Sequence, residues 1–520
     1  MFPTLLCILY FGVLLGLSFY GLHRLHLVLL CARHRGRIVS AQEVPALTDR
    51  DLPMVTIQLP LFNESTVAAR LLDAVARMDY PLDKLEIQVL DDSTDETQAL
   101  VRAHVEKLRA EGIDAVYLHR VDRVGYKAGA LDAGLDVAKG ELVAIFDADF
   151  LPQPGFLRSI VGHFEDPKVG MVQTRWGHLN REASILTRVQ ALMLDGHHLV
   201  ENRARFGAGL LFNFSGTGGI WRAEAIARAG GWQHDTLTED LDLSYRAQLA
   251  GYRFIYREDV VSPAELPEDI SALRAQQYRW AKGTVQTARK LMRTVLCADL
   301  SLSQRIEAFF HLTPHFAYPL LVLLSVLLLP ALILFPAADT MTMLAVDLPL
   351  CTATTGSLAA FYMLAESAQG RSRSGVLIRL PMLIALGTGL APHLSKAVLE
   401  GCRNMAGEFV RTPKHGVMKG RYRVRTDLPL TESLLAVLSL GAVVASVETG
   451  HYFATPFAAL FTIGYGYVAM LVATEQAARR REPGSSSAAA WKGERSTDPA
   501  AGAWSTQAAA QERSIGDLAA

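Results

Sequence analysis

The sequence has 520 residues, room for a catalytic domain and more besides. Half of them are hydrophobic and the mean hydropathy is +0.19, which excludes a wholly water-soluble chain and places part of it in lipid. The formal net charge is −1, so no polyelectrolyte partner is implied and nucleic-acid binding is a poor reading. Cys7, Cys31, Cys297, Cys351 and Cys402 are scattered and never form a CxxC pair, so neither a disulfide framework nor a zinc site is suggested.

In chain order, residues 1–32 read as a transmembrane anchor. Pro3–Leu22 is uncharged and long enough to span, and the basic residues Arg24, Arg33, Arg35 and Arg37 follow it. A cleaved signal peptide would carry its basic residues before the apolar run. The asymmetry puts the N-terminus outside and the chain from residue 24 in the cytoplasm. Residues 50–300 alternate short apolar runs with helical patterns. Met54–Leu59, Leu85–Leu90, Ala115–His119 and Leu142–Phe146 read as buried strands, with helices at Thr66–Arg77, Asp95–Leu108 and Tyr126–Val137. The alternation predicts an α/β fold with a doubly wound, mainly parallel sheet, inserted between transmembrane helices. Ligands bind such sheets beyond the carboxyl ends of the strands.

Residues 310–475 turn membranous again, with apolar stretches at Phe316–Phe335, Leu348–Leu364, Val376–Val398, Leu434–Val447 and Phe453–Ala473. Val376–Val398 contains Arg379, Pro381, Pro392, His393 and Lys396, and a basic loop from Arg403 to Arg425 follows it. Spanning all five stretches would put that loop outside, so Val376–Val398 reads as an interfacial or re-entrant segment beside five spanning helices. Residues 482–520, rich in Ala, Ser and Gly, read as a disordered tail.

The residues suited to chemistry sit at strand ends. Leu85–Leu90 runs into Asp91, Asp92 and Ser93, and Leu142–Phe146 runs into Asp147, Ala148 and Asp149. Carboxylates crowded at one sheet edge repel unless a cation or donor network neutralises them. A D-x-D there suits Mg²⁺ or Mn²⁺ held against a diphosphate. Asp92–Ser93 alone also suits a turn or helix cap. Thr238–Glu239–Asp240 opens a helical run and alone reads as a helix start, though a carboxylate near a sugar hydroxyl is a general-base candidate. Gln276–Gln277–Tyr278–Arg279–Trp280 fits a sugar-diphosphate site and equally a membrane-interface helix. Lys127 is a candidate phosphate or base contact at a helix start, without Walker A spacing. His197 and His198 have no metal-ligand spacing to a third ligand.

The ordered set Pro60-x-x-Asn63–Glu64, Asp91–Asp92–Ser93, Asp147–Ala148–Asp149, Thr238–Glu239–Asp240 and Gln276-x-x-Arg279–Trp280 resembles the processive family 2 glycosyltransferases of the cellulose-synthase type. The runs Gln88–Asp95, Gln173–Asn180, Gly216–Arg222 and Leu237–Arg246 are similar to the cellulose-synthase-like A and C branch. The A type resembles glucomannan 4-β-mannosyltransferases using GDP-mannose, and the C type makes a β-1,4-glucan from UDP-glucose. The resemblance implies a GT-A catalytic domain, cytoplasmic in a multi-pass plasma (inner) membrane protein. It implies an inverting hexosyltransferase that builds and translocates a β-linked, β-1,4 polysaccharide from GDP-mannose or UDP-glucose. Its partners would be the donor, the growing polysaccharide and the bilayer.

By residue, the resemblance implies that Glu64 and Asp91 or Asp92 contact base and ribose, while Lys127 holds the nucleotide. Asp147 and Asp149 would bind donor and Mg²⁺ or Mn²⁺, and Asp240 would be the base. Gln276 and Arg279 would steady the pyrophosphate. Trp280, Gly216, Thr217 and Glu239 would meet the acceptor. Ser215 stands where cellulose synthases carry Cys, which argues against plain cellulose, and no cyclic-di-GMP domain is expected after the last helix. The rival readings are a non-processive transferase to a lipid-linked acceptor and a membrane transporter or scaffold. The long insert with its ordered carboxylates disfavours the transporter.

Overall fold

The computed structural model of the chain describes residues 2–40, 44, 47–336, 341, 349, 352–405, 407 and 428–481. The chain divides after Glu475 into two units; of the second, only the end of the last helix is described. In the first unit seven strands form one sheet: β1 (Val55–Leu61), β2 (Leu85–Asp91), β3 (Asp114–His119), β4 (Leu142–Ile145), β5 (Val169–His178), β6 (Gly219–Arg222) and β7 (Arg253–Ala264). Their order is β3-β2-β1-β4-β6-β5-β7. All pairs are parallel except those that β6 makes with β4 and β5. The four expected strands form within a residue or two of their expected limits. Val55, Ile57, Leu59, Ile87, Val89 and Leu142–Ile145 are buried, as continuous apolar runs covered on both faces should be.

Three strands were not expected. β6 has only four residues, too few for a periodicity, and β5 and β7 mix charged and aromatic residues among apolar ones. Helices cover the sheet where the pattern placed them, at Ala68–Ala76, Thr97–Ala110 and Tyr126–Leu135. β1 pairs with β2 on one side and β4 on the other, and the chain crosses from β3 over to β4. The order therefore reverses between β1 and β4, and their carboxyl ends open a crevice there.

Beyond the sheet we label the helices α1 (Phe2–Arg33), α2 (Ile185–Gly196), α3 (Glu239–Leu249), α4 (Ile270–Cys297), α5 (Leu302–Leu312), α6 (Ala317–Leu334), α7 (Ser357–Ala368), α8 (Ser374–Arg403), α9 (Leu430–Glu448) and α10 (Thr455–Arg481). Helix α5 opens on a capping box, with Gln304 N–H donating to Ser301 Oγ.

Among the described residues five helices are long and apolar enough to cross a membrane: Pro3–Arg33, Pro314–Leu334, Ser374–Arg403, Leu430–Glu448 and Thr455–Ala478. Helix α8, expected as an interfacial or re-entrant segment, is one of them by length and composition. The charges behind that reading are accommodated: Arg379 pairs with Glu366 of α7 at 2.9 Å, and Lys396 lies in the last two turns. Leu348–Leu364, expected to span, is described only at Pro349 and from Thr352 on, where it forms a π-helical turn and the start of α7; it is not among the five. The basic loop from Arg411 to Arg425 and the tail from residue 482 lie outside the described residues.

Candidate active site

The crevice at the carboxyl ends of β1, β2 and β4 opens into a cavity of about 170 Å³. Its walls include Phe62 and Glu64 after β1, Asp92 after β2, Asp147 and Asp149 after β4, and Asp240 and Arg279 from α3 and α4. Each is set in place by neighbours that the fold supplies. Phe146 is fully buried and anchors the end of β4, and Asp147 N–H then donates to Thr217 Oγ1 at 2.9 Å. The turn that carries Thr217 is held by Gln173 of β5, whose Oε1 accepts from Ser215 N–H at 2.8 Å. Lys127, two residues after the left-handed Gly125 (φ 72°), donates to Asp147 Oδ1 at 2.5 Å and to the Gly216 carbonyl at 2.9 Å.

Helix α4 holds the Thr238–Asp240 turn as well as supplying Gln276, Arg279 and Trp280. Gln286 Oε1 accepts from Leu237 N–H at 3.0 Å, and the hydroxyls of Thr287 and Thr238 lie 3.1 Å apart. Gly283 lets the two backbones meet: a Cβ there would fall 2.9 Å from the Leu237 carbonyl carbon. Asp240 Oδ1 accepts from Leu241 N–H at 2.8 Å, and its Oδ2 faces Gly216, where a Cβ would approach to 2.9 Å. Gly216 has φ 83°, so a side chain there would also strain the backbone.

A second, larger cavity of about 850 Å³ continues from the same place. Trp176, Leu194, Ser215, Thr238, Asp240, Gln276 and Trp280 line both. From there it runs among α1, α6, α8 and α10, past Tyr20, Leu328 and Gly387 to Phe335 and Phe461.

The description "Glycosyl transferase family 2" matches residues 56–226, and "Glycosyl transferase family group 2" matches residues 142–364. Glucomannan 4-beta-mannosyltransferase 1 of Cyamopsis tetragonoloba is 34% identical over 449 residues, covering 81% of this chain and 83% of that protein. The protein of the same description from Oryza sativa subsp. japonica is 34% identical over 456 residues, covering 82% and 85%. The chain belongs to glycosyltransferase family 2, in the group that holds these mannosyltransferases. A mannosyltransferase of Pyrobaculum calidifontis, solved with GDP-Man and Mn²⁺, is 25% identical with a TM-score of 0.46, covering 70% of this chain and 96% of that one. This transferase is thus a hexosyltransferase and, with its five apolar helices, a membrane protein.

The electrostatics of the transferase site follow from crowding several ionisable groups in a small cavity. Burial, with Glu239 adding its charge, pushes the Asp240 carboxyl up to about 7, while Lys127 pulls the other way. Burial also raises Glu239 against the pull of Lys127. Burial alone would lower Lys127, but Asp147 and Glu239 outweigh it and keep the ammonium charged. Burial lowers Arg279, opposed by Glu239, Asp147 and Asp240.

The structure brings Glu64, Asp92, Lys127, Asp147, Asp149, Gly216, Glu239, Asp240, Gln276, Arg279 and Trp280 together around one cavity. It does not bring Asp91 or Thr217 to that wall. Asp91 is the last residue of β2 and points into the protein. Its carboxylate is fully buried and accepts from Ser93 N–H at 2.9 Å and Tyr117 Oη–H at 2.7 Å. Thr217, expected to meet the acceptor, is 1% exposed and accepts from Asp147 N–H, so it orients that residue. Lys127, expected on the nucleotide, lines the cavity and donates to Asp147. Three residues went unassigned in the sequence. Arg120 grips Asp92 with both Nε (2.8 Å) and Nη2 (2.6 Å). Arg123 lies 3.3 Å above the Phe62 ring at the mouth. Trp176 donates its indole N–H to the Thr217 carbonyl at 3.3 Å and sits edge-on to Phe150. No spacing announces Arg120 or Arg123, since both lie in an ordinary basic loop. Trp176 lies in the Gln173–Asn180 run that carried part of the resemblance.

Asp147 and Asp149 are the residues that would hold a divalent cation. Two carboxylates with hard oxygens, facing a cavity sized for a ligand, suit Mg²⁺ or Mn²⁺ completed by diphosphate oxygens and water. Among the described residues no third His, Cys, Asp or Glu makes a group with them.

Proposed function

We propose that this enzyme is an inverting, processive β-1,4-mannan synthase. It would take mannosyl units from GDP-mannose at the cytoplasmic face of the plasma (inner) membrane and pass the growing chain into the bilayer. The observation that carries the reading is that Asp240 and Trp280 line both the donor cavity and the larger cavity among the membrane helices. A sugar acceptor reaching the donor from that side would meet a base and a flat indole face at once. The 4-beta-mannosyltransferase relatives support mannose over glucose.

In this mechanism Asp240 takes the proton of the acceptor hydroxyl. The freed oxygen forms a bond to the anomeric carbon from the face opposite the diphosphate. The carbon–oxygen bond to the nucleotide breaks with its electron pair leaving on the diphosphate, so an α-linked donor gives a β product. Arg279 places positive charge where the leaving group gains negative charge. Lys127 holds Asp147 in position from the Gly216 side. A bound divalent cation would supply further neutralisation of the diphosphate. Glu64 and Asp92, which line the same cavity, would meet the nucleoside.

The test is purified protein in lipid nanodiscs given GDP-mannose and UDP-glucose in parallel with Mn²⁺ or Mg²⁺. A polymer from GDP-mannose, degraded by an endo-β-1,4-mannanase and not by a cellulase, is expected. Release of no nucleoside diphosphate from either donor would sink the reading. A product of one added sugar only would favour a non-processive enzyme.

A further inference from the structure

One histidine in the donor cavity has no part in this mechanism. His178 is the last residue of β5, two residues beyond Trp176, so the two side chains leave the strand on the same face. Trp176 marks the junction of the two cavities, and His178 lines the donor cavity beside it. That places His178 in the donor cavity, next to a residue that borders both cavities.

The ring is held from behind by a chain of buried charge. His178 Nε2 lies 3.1 Å from Asp195 Oδ1, and Asp195 on α2 is 1% exposed. The other oxygen of Asp195 accepts from Arg181. Arg181 in turn donates to Glu366 of α7 at 2.5 Å, and Glu366, itself fully buried, also accepts from Arg379 of α8 at 2.9 Å. Burial pushes the Asp195 carboxyl up, but the bond from His178 and the charges of His178 and Arg181 outweigh it and hold it well below the usual range. Asp195 holds the ring through Nε2, which leaves Nδ1 as the ring nitrogen that can meet a ligand. Nδ1 makes no hydrogen bond among the described residues. An ion network this deeply buried is costly to assemble, and simple stability gives weak reason for it. A ring aimed at a ligand gives a better one.

We propose that His178 is a donor-binding residue whose Nδ1 hydrogen-bonds a hydroxyl of the transferred hexose, with Asp195 fixing the ring and Arg181 and Glu366 fixing Asp195. The inference rests on the transferase reading and deepens it, because such a contact would help select one hexose over its epimers. It also ties the donor site to α7 and α8, the elements that border the membrane cavity.

The test compares two ligands on the full chain in nanodiscs by calorimetry: GDP, which lacks the hexose, and GDP-mannose. His178→Phe should weaken GDP-mannose about threefold to tenfold, the size of one neutral hydrogen bond, and leave GDP unchanged. His178→Asn, which keeps an acceptor, should stay closer to wild type. Among 2-, 3-, 4- and 6-deoxy GDP-mannose, one analogue should bind wild type more weakly than GDP-mannose and bind His178→Phe no worse than GDP-mannose does. Equal affinity of His178→Phe and wild type for GDP-mannose would overturn the proposal. Equal weakening of GDP and GDP-mannose would overturn it too, since that is a purely structural role. If His178→Phe does not fold, His178→Leu and His178→Gln carry the same comparison. Binding is read without turnover, so a chain that binds donor normally and makes no polymer would sink the proposed function while leaving this result standing.

Discussion

The donor cavity and the membrane cavity meet at Asp240 and Trp280 and are otherwise built in opposite ways. The first lies at the carboxyl ends of parallel strands. Its carboxylates are fixed by hydrogen bonds from loops that the sheet holds still, such as Thr217 to Asp147 and Arg120 to Asp92. The second lies between helices, walled largely by Leu, Phe and Tyr, with polar groups such as Asn213, Glu201, His197 and His311 among them. A site that breaks bonds needs charge fixed in advance, because reorganising dipoles during the reaction raises the barrier. A passage for a polymer needs only width and weak, repeated contacts. A change in one region should therefore alter chemistry, and a change in the other should alter the fate of the product.

The largest effect should come at the shared carboxylate. Asp240→Asn should lower kcat by about 10²-fold to 10⁴-fold, the range of general-base removal, while calorimetry shows donor affinity within a few-fold of wild type. A variant that still polymerised normally would detach Asp240 from the chemistry. Next is a block confined to the membrane side. Gly387 lines the larger cavity, and a Cβ there would have no atom within 4 Å. Gly387→Trp should fill that space and stop polymer growth, read as loss of long product on a sizing column, with donor binding unaffected. Full-length product from this variant would show that the cavity is not the path.

Gly216→Ala should act on the donor side more weakly. It places a Cβ 2.9 Å from Asp240 Oδ2 and forces a non-glycine residue to φ 83°, a strain of about 1–2 kcal/mol. The expected result is a fall of about tenfold in kcat/KM, the factor that 1.4 kcal/mol represents. The smallest effect is a shift in pH profile. Asp240 acts as a base only when ionised, and burial beside Glu239 raises its carboxyl to about 7. The group is therefore mostly protonated and inactive below that pH, and kcat/KM should rise with pH through about 7 to a plateau. Removing one like charge with Glu239→Gln should move the rise to lower pH. A profile flat from pH 5 to 8 would contradict the assignment.

Much of the donor site was legible because strand ends announce themselves. A run such as Leu142–Phe146 followed by Asp147 and Asp149 can only bring its acids to the carboxyl edge of a sheet, wherever the strand sits in the order. What the run could not reveal was which of two adjacent acids faces the ligand. Asp91 and Asp92 differ by one position, and in an extended chain that difference turns one inward and the other outward. Asp91 is fully buried against Tyr117, while Asp92 meets Arg120 and the cavity. The supports were less legible still. Gln173, Thr217, Gln286 and Thr287 bond across 42 to 70 positions, and nothing local marks them. Helix α8 is a related case. Its Arg379 counts against a membrane span only until Glu366, thirteen positions earlier, is seen to pair with it.

By itself the sequence determined the kind of protein. The apolar lengths, the alternation of strand and helix, and the order of the carboxylates set a membrane-anchored α/β transferase, because those features depend on neighbours close in the chain. Only the tertiary structure decided how the parts meet. Packing α4 against the turn at Thr238 set Asp240 and Trp280 at the one place where the donor cavity opens into the membrane helices. Packing α7 against α2 tied His178 to Glu366. Both depend on contacts between distant segments, and distance along the chain carries no local signal of them.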